Sequence, residues 1–177
     1  GLHDPAAYYR QLAAALGGTA PDGRPPVWVV AEKILAAHER LRDDHLIHGT
    51  TGYEFCNLVG GLFVDPQGKR GLDRVYHRLL GRRMDYDALL LDSKRLILDT
   101  ALASELNVLV DDLNRISESD RRTRDFTRQR LKTALASVLA QFPVYRTYVD
   151  ADSVTEDDRR YVEWAVARAR KTDRALD

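Results

Sequence analysis

One apolar run is unbroken: Val27-Trp28-Val29-Val30-Ala31 follows Pro25-Pro26, contains no polar residue and stops at Glu32. Such a run predicts a parallel strand buried on both faces, with Glu32 at its C-terminal end. Upstream, Asp4-Pro5, the stretch from Ala6 to Leu16 and Gly17-Gly18 predict a helix. The aspartate caps it, the proline takes the first turn and the glycines release the chain. Helix, loop, strand and carboxylate in this order make half of a βαβ unit.

Beyond residue 50 the apolar period becomes helical. Tyr53 to Phe63 is apolar on most sides and predicts a short buried helix, after which Asp65-Pro66-Gln67-Gly68 turns the chain. Leu72, Val75, Tyr76 and Leu79 repeat at helical spacing, and Gly81 ends that helix. From Tyr86 onward Leu98, Leu102, Leu106, Leu109, Leu113 and Ile116 advance by three and four. They predict one amphipathic helix of roughly 30 residues, ~45 Å long, broken at Ser117 to Asp120. A second long helix carries Phe126, Leu131, Leu135, Val138, Leu139 and Phe142 and stops at Pro143. Thr155 with Asp158 predicts a capping box, and Arg168, Arg170 and Lys171 suit the negative end of the last helix. The predicted fold is mainly α, a helical bundle with a short α/β remnant at its N-terminus.

Composition narrows the function classes. A chain of 177 residues fits one domain with a sizeable core, and one that starts on Gly1 rather than Met is expected to be a piece of something longer. Lys plus Arg and Asp plus Glu both total 27, so no net charge draws in nucleic acid or a membrane surface. The apolar stretches fall far short of the ~20 residues of a membrane helix. One cysteine excludes an internal disulfide and fits a reducing, cytoplasmic setting. Cys56 lies inside an apolar helix pattern and reads as a small core residue rather than a nucleophile.

Candidate chemistry is sparse. Glu32 suits a catalytic carboxylate at a barrel rim, or a strand-end glutamate paired with Lys33 or an arginine. His38, His45 and His48 lack the further ligands of a tetrahedral metal site and read as solvent-facing loop histidines; no metal or cofactor is expected. Arg121, Arg122, Arg124, Arg128, Arg130 and Lys132 form a basic stretch, offset by Asp111, Asp112, Glu118, Asp120 and Asp125. Tyr145 and Tyr148 alternate with Arg146 in an expected extended segment. Aromatic faces and polar side chains in alternation suit sugar binding, with core packing expected for one of the two tyrosines.

Several separated strings share one resemblance. They are Glu32-Lys33-Ile34-Leu35, Gly49-Thr50-Thr51-Gly52-Tyr53-Glu54-Phe55, and the run from Asn57 to Asp65. Ala103-Ser104-Glu105-Leu106-Asn107, the run from Asp120 to Thr127, Phe142 to Val149, and Asp158-Arg159-Arg160-Tyr161 extend it. In this order they resemble the maltooligosyltrehalose synthase family of the α-amylase superfamily. The resemblance implies that residues 1–48 are a remnant of a catalytic (β/α)8 barrel and residues 49–177 a helical insertion domain. It implies that Glu32 ends the fifth barrel strand as general acid/base. The family's nucleophilic aspartate stands in an Arg-x-Asp-His-x-Asp-Gly-Leu motif, of which Gly1-Leu2 correspond here, and its third carboxylate is expected beyond Asp177. Glu54 stands where relatives often carry aspartate, Gly60 where they carry asparagine and Ala31 where valine is common.

The implied reaction is an intramolecular transglucosylation, turning the reducing-end α-1,4 link of a maltooligosaccharide into an α,α-1,1 link. Lys33, Tyr53, Tyr145, Arg146 and Tyr148 are the expected substrate contacts. The 177 residues alone are expected to be inactive, and the first 35 residues, the strand from Val27 to Ala31 included, to be irregular, repacked against the bundle, or paired with a second copy in a homodimer. The other interpretation, from a different class, is an independent helical scaffold or protein-interaction domain.

Overall fold

The computed structural model describes residues 2–151 and 153–172. The chain forms two compact units, Gly1–Gly71 and Leu72–Asp177. Seven α-helices and one two-stranded sheet occur among the described residues, a mainly α fold. Among the described residues, no helix is long and apolar enough to cross a membrane.

In the first unit, α1 (Pro5–Ala15) begins as its sequence dictates: Asp4 accepts from the Ala7 amide at 2.8 Å. Gly17 and Gly18 both have positive φ, which releases the chain cheaply after the helix. Helix α1 packs on a 3-10 turn at Asp43–His45, with the Tyr9 ring tilted 5.6 Å from the His45 ring. His45 is buried, which corrects the expectation that the three histidines face solvent.

The apolar run after the diproline pairs over only two residues. Strand β1 (Val30–Ala31) runs parallel to β2 (Gly49–Thr50), with Val30 opposite Gly49 and Ala31 opposite Thr50. Upstream, the Val29 amide donates to His48 Nδ1 at 3.1 Å and Trp28 stacks on the His48 ring at 4.6 Å. A side chain therefore takes the hydrogen bond that would have continued the ladder. Helix α2 (Tyr53–Gly61) starts at Gly52, whose φ is 91°. It was expected to be buried, yet none of its residues is, and Cys56 is exposed rather than in a core. The periodicity locates the helix correctly, while Phe55, Leu58 and Val59 along it are exposed.

Helix α3 (Lys69–Leu80) follows the 3-10 turn Pro66–Gly68 and ends at Gly81, with φ of 68°. The second unit is built around α4 (Tyr86–Asp99), α5 (Ala103–Ser119), α6 (Arg128–Ala140) and α7 (Glu156–Thr172). Helix α6 is central and packs on α4, α5 and α7, while α4 also touches α5. Leu106, Val110, Ala140, Val144, Tyr161, Ala165 and Ala169 form the core. Small residues on α7 let the helices approach closely.

The single long helix expected from Tyr86 to Ile116 is two. Thr100 leaves helical geometry at φ −115° and ψ −81°, and its hydroxyl donates to the Leu96 carbonyl at 2.6 Å. The Leu102 amide reaches back five residues to the Ile97 carbonyl at 2.9 Å. The chain bends there so that both α4 and α5 meet α6. At the far end of α5, the Ser117 hydroxyl donates to the Thr123 carbonyl and the Thr123 hydroxyl to the Ser117 carbonyl, closing the turn into α6. The capping box forms as expected: the Asp158 amide donates to the Thr155 hydroxyl and the Thr155 amide to the Asp158 carboxylate.

Candidate functional site

Glu32 leaves β1 directly after Ala31, and the Thr51 amide donates to the Ala31 carbonyl at 3.0 Å. Because the strands are parallel, Glu32 and Thr51 depart from the same C-terminal rim. Tyr53, the first residue of α2, follows at that rim and is exposed. The register thus brings Glu32 and Tyr53 to one edge, and the Glu32 side chain is exposed.

Lys33 is engaged with a second carboxylate. Its ammonium pairs with the Glu39 carboxylate at 2.5 Å, and Glu39 also accepts from the Ala36 amide at 3.1 Å. Both partners are largely buried, so this ion pair folds the segment after β1 back on itself. The structural alternative for Glu32, a pair with Lys33, therefore has its lysine already engaged.

The carboxylate that does organise this rim is Glu54, which the sequence pattern did not single out as more than a conservative exchange. One of its oxygens accepts the Thr50 hydroxyl at 2.8 Å, and that same hydroxyl accepts from the Gly52 amide at 3.2 Å. Its pKa is held below the ordinary carboxylate value, first by its own amide at the open start of α2, then by the Thr50 hydroxyl. Desolvation opposes this, and the Leu35 amide adds to the lowering. Glu54 therefore ties the chain after Glu32 to the end of β2. Its signal was positional: a carboxylate at the second residue of a helix whose cap is glycine and offers no side chain.

Tyr145, Arg146 and Tyr148 belong to the second unit. The segment is irregular rather than a strand, and Arg146 folds over Tyr148, its guanidinium 4.7 Å from the ring centre. The Tyr148 amide donates to Asp158 at 3.2 Å, which anchors the segment to the capping box of α7. Tyr145 projects into solvent, 84% exposed. Arg146 and Tyr148 are thus mutually engaged, while Tyr145 presents a free aromatic face.

No group of three or more His, Cys, Asp or Glu suited to a metal occurs among the described residues. Within the basic stretch, Arg128 pairs with Asp111 at 2.6 Å and Arg122 with Asp120 at 3.3 Å. These pairs lower the pKa of Asp111, chiefly through the Arg128 hydrogen bond, and of Asp120, chiefly through the Arg122 amide.

No family model matches the chain. Its sequence is 38% identical over 109 residues to proteins named putative maltooligosyl trehalose synthase from two strains of Mycobacterium tuberculosis. That match takes in 62% of this chain and 13% of each relative. A solved structure titled "DSM5389 glycosyltrehalose synthase" superposes over 99% of this chain and 22% of its own, with a TM-score of 0.66 and 26% identity. The chain thus spans a small part of the length of each protein it matches.

Proposed function

We propose that this chain, which resembles one segment of the maltooligosyltrehalose synthases in sequence and fold, supplies the general acid/base and part of the enclosure for an intramolecular transglucosylation. The observation that supports this is the parallel register that puts Glu32 at the C-terminal rim of the strand pair, where α/β barrels gather their catalytic groups.

In the proposed reaction Glu32 protonates the oxygen of the reducing-end α-1,4 bond while a carboxylate elsewhere in the synthase attacks the anomeric carbon. Retaining chemistry of this kind sets the two carboxyl groups ~5 Å apart. The freed glucose stays bound, turns, and gives up the proton of its anomeric hydroxyl to Glu32 as it attacks the glucosyl intermediate, forming the α,α-1,1 link. Water has to be kept out, because water at the same carbon would hydrolyse the intermediate. Lys33 acts through Glu39, fixing the backbone that carries Glu32, and Tyr53 stands at the same rim as a sugar-facing ring. In the second unit, Tyr145 is proposed as a sugar-stacking ring of its own.

On this proposal the 177 residues alone lack the nucleophile and do not turn over substrate. Incubation with maltopentaose followed by sugar chromatography is expected to show neither a trehalosyl product nor free glucose. A single-chain chimera, in which this chain replaces the matched segment of the glycosyltrehalose synthase, is expected to make the trehalosyl product. Turnover by the isolated chain, or a folded chimera without activity, contradicts the proposal.

A further inference from the structure

His48 grips Val29 twice at the upstream end of the strand pair. Its amide donates to the Val29 carbonyl at 2.8 Å, and its ring takes the return bond, Nδ1 accepting from the Val29 amide at 3.1 Å. An amide can only donate, so Nδ1 carries a lone pair there and the proton of the neutral imidazole sits on Nε2. The Trp28 ring, stacked 4.6 Å away with 28° between the planes, holds the imidazole in that orientation. At the next pair along, Val30 faces Gly49, which has no side chain to pack across the strands. The ladder is two residues long on each strand, so each bond at its ends is a large share of what holds it.

From this we propose that His48 is a positioning residue for the rim: its neutral imidazole clamps β1 beside β2 through the Val29 amide, and protonation of the ring releases the clamp. The consequence for catalysis rests on the function proposed above, because the strand so held ends at Glu32, three positions after Val29. Charging the ring puts a proton on Nδ1, and two donors then face each other. The part-buried Val29 amide loses its acceptor, and an amide without one is costly to keep from water. Stacking on Trp28 favours the charged ring but supplies no acceptor. Neither Trp28 nor Val29 ionises. The titratable groups of the preceding 3-10 turn are Asp43, Asp44 and His45; Asp44 is bonded to Arg42, and His45 lies against Tyr9 of α1. On the rim side stand Glu32 and Glu54, the latter bonded to Thr50.

The test uses the 177-residue chain and follows amide exchange by NMR at Val29 and Thr51, while the His48 ring signals report its charge. Thr51 is included because its amide closes the other end of the pair on the Ala31 carbonyl. As the ring charges, the protection factors of both amides are expected to fall by ~10-fold or more, whereas the enclosed Leu106 and Val110 of α5 keep theirs. His48→Asn places an amide oxygen near the position of Nδ1 and does not titrate, so Val29 is expected to stay protected across the same pH range. His48→Leu has no acceptor and is expected to leave Val29 unprotected throughout; if it also loses helicity, the native and His48→Asn profiles decide. Protection that survives charging of the His48 ring overturns the inference, as does a His48→Asn chain unprotected at Val29. A pH-dependent loss that persists in His48→Asn overturns it too, by assigning the effect to His45 or a carboxylate. Exchange is read without substrate, so a failed clamp leaves the proton-transfer role of Glu32 standing, and failure of that role leaves the clamp standing.

Discussion

Ala31 and Thr50 stand opposite each other across the parallel strand pair, and the next residue on each strand is a polar one, Glu32 and Thr51. This one register decides which residues share the rim. A shift of one position would turn every side chain of the strand to the other face. Thr50 also donates to Glu54, so the residue that fixes the register holds the start of α2 as well.

The capping box at α7 carries more than its own helix. Asp158 is buried and accepts from the Thr155 amide, the Thr155 hydroxyl and the Tyr148 amide. Thr155→Ala is expected to lower stability by about 1 kcal/mol in urea denaturation. Asp158→Ala, which strands two amides, is expected to cost about 1–3 kcal/mol and to raise protease sensitivity near Tyr148. Equal costs for the two would show that the bond to Tyr148 contributes nothing.

Helix α5 buries one stripe and leaves another apolar set in water. Leu106→Ala is expected to destabilise the chain by about 2–5 kcal/mol, because Leu106 is fully enclosed. Ile116→Ala, on the exposed side, is expected to change stability by about 0.5 kcal/mol or less. Thermal or urea unfolding of the two variants checks this, and a large cost at Ile116 would contradict the packing of α5 on α6.

The Asp111–Arg128 pair joins α5 to the start of α6 and gives a pH dependence of known sign. The Asp111 carboxyl is lowered from 3.8 in the folded chain. A lowered carboxyl contributes stability that is full above its unfolded value and is lost as pH falls through the folded value. The melting temperature of the native chain is therefore expected to exceed that of Asp111→Asn slightly at neutral pH. The gap should close below 3.8 and shrink with added salt, since both groups are exposed. A gap that widens on acidification would refute the assignment.

Much of the fold was legible in local signals. Asp4 with Pro5, Gly81 and the Thr155–Asp158 pair each mark a helix end through one residue's own chemistry, and each holds. The break at Thr100 was not legible, because no glycine or proline marks it and the apolar spacing runs straight through. What bends the chain there is the requirement that two helices reach α6, a tertiary constraint. The exposure of α2 was hidden for the opposite reason: its apolar period reads as burial, and no residue of the helix is buried. At the rim, Glu32 announced itself by ending an apolar run, whereas the bond from Thr50 to Glu54 is a contact that their spacing of four permits but does not require.

The central claim, that Glu32 transfers the proton, is tested most directly by Glu32→Gln in the synthase chimera, assayed on two substrates. On maltopentaose, turnover is expected to fall by at least ~10²-fold. On a maltosyl donor whose leaving group needs no protonation, release of that group is expected to be largely spared, with helicity unchanged. Near-normal turnover on maltopentaose, or an equal loss on both substrates, would contradict the assignment.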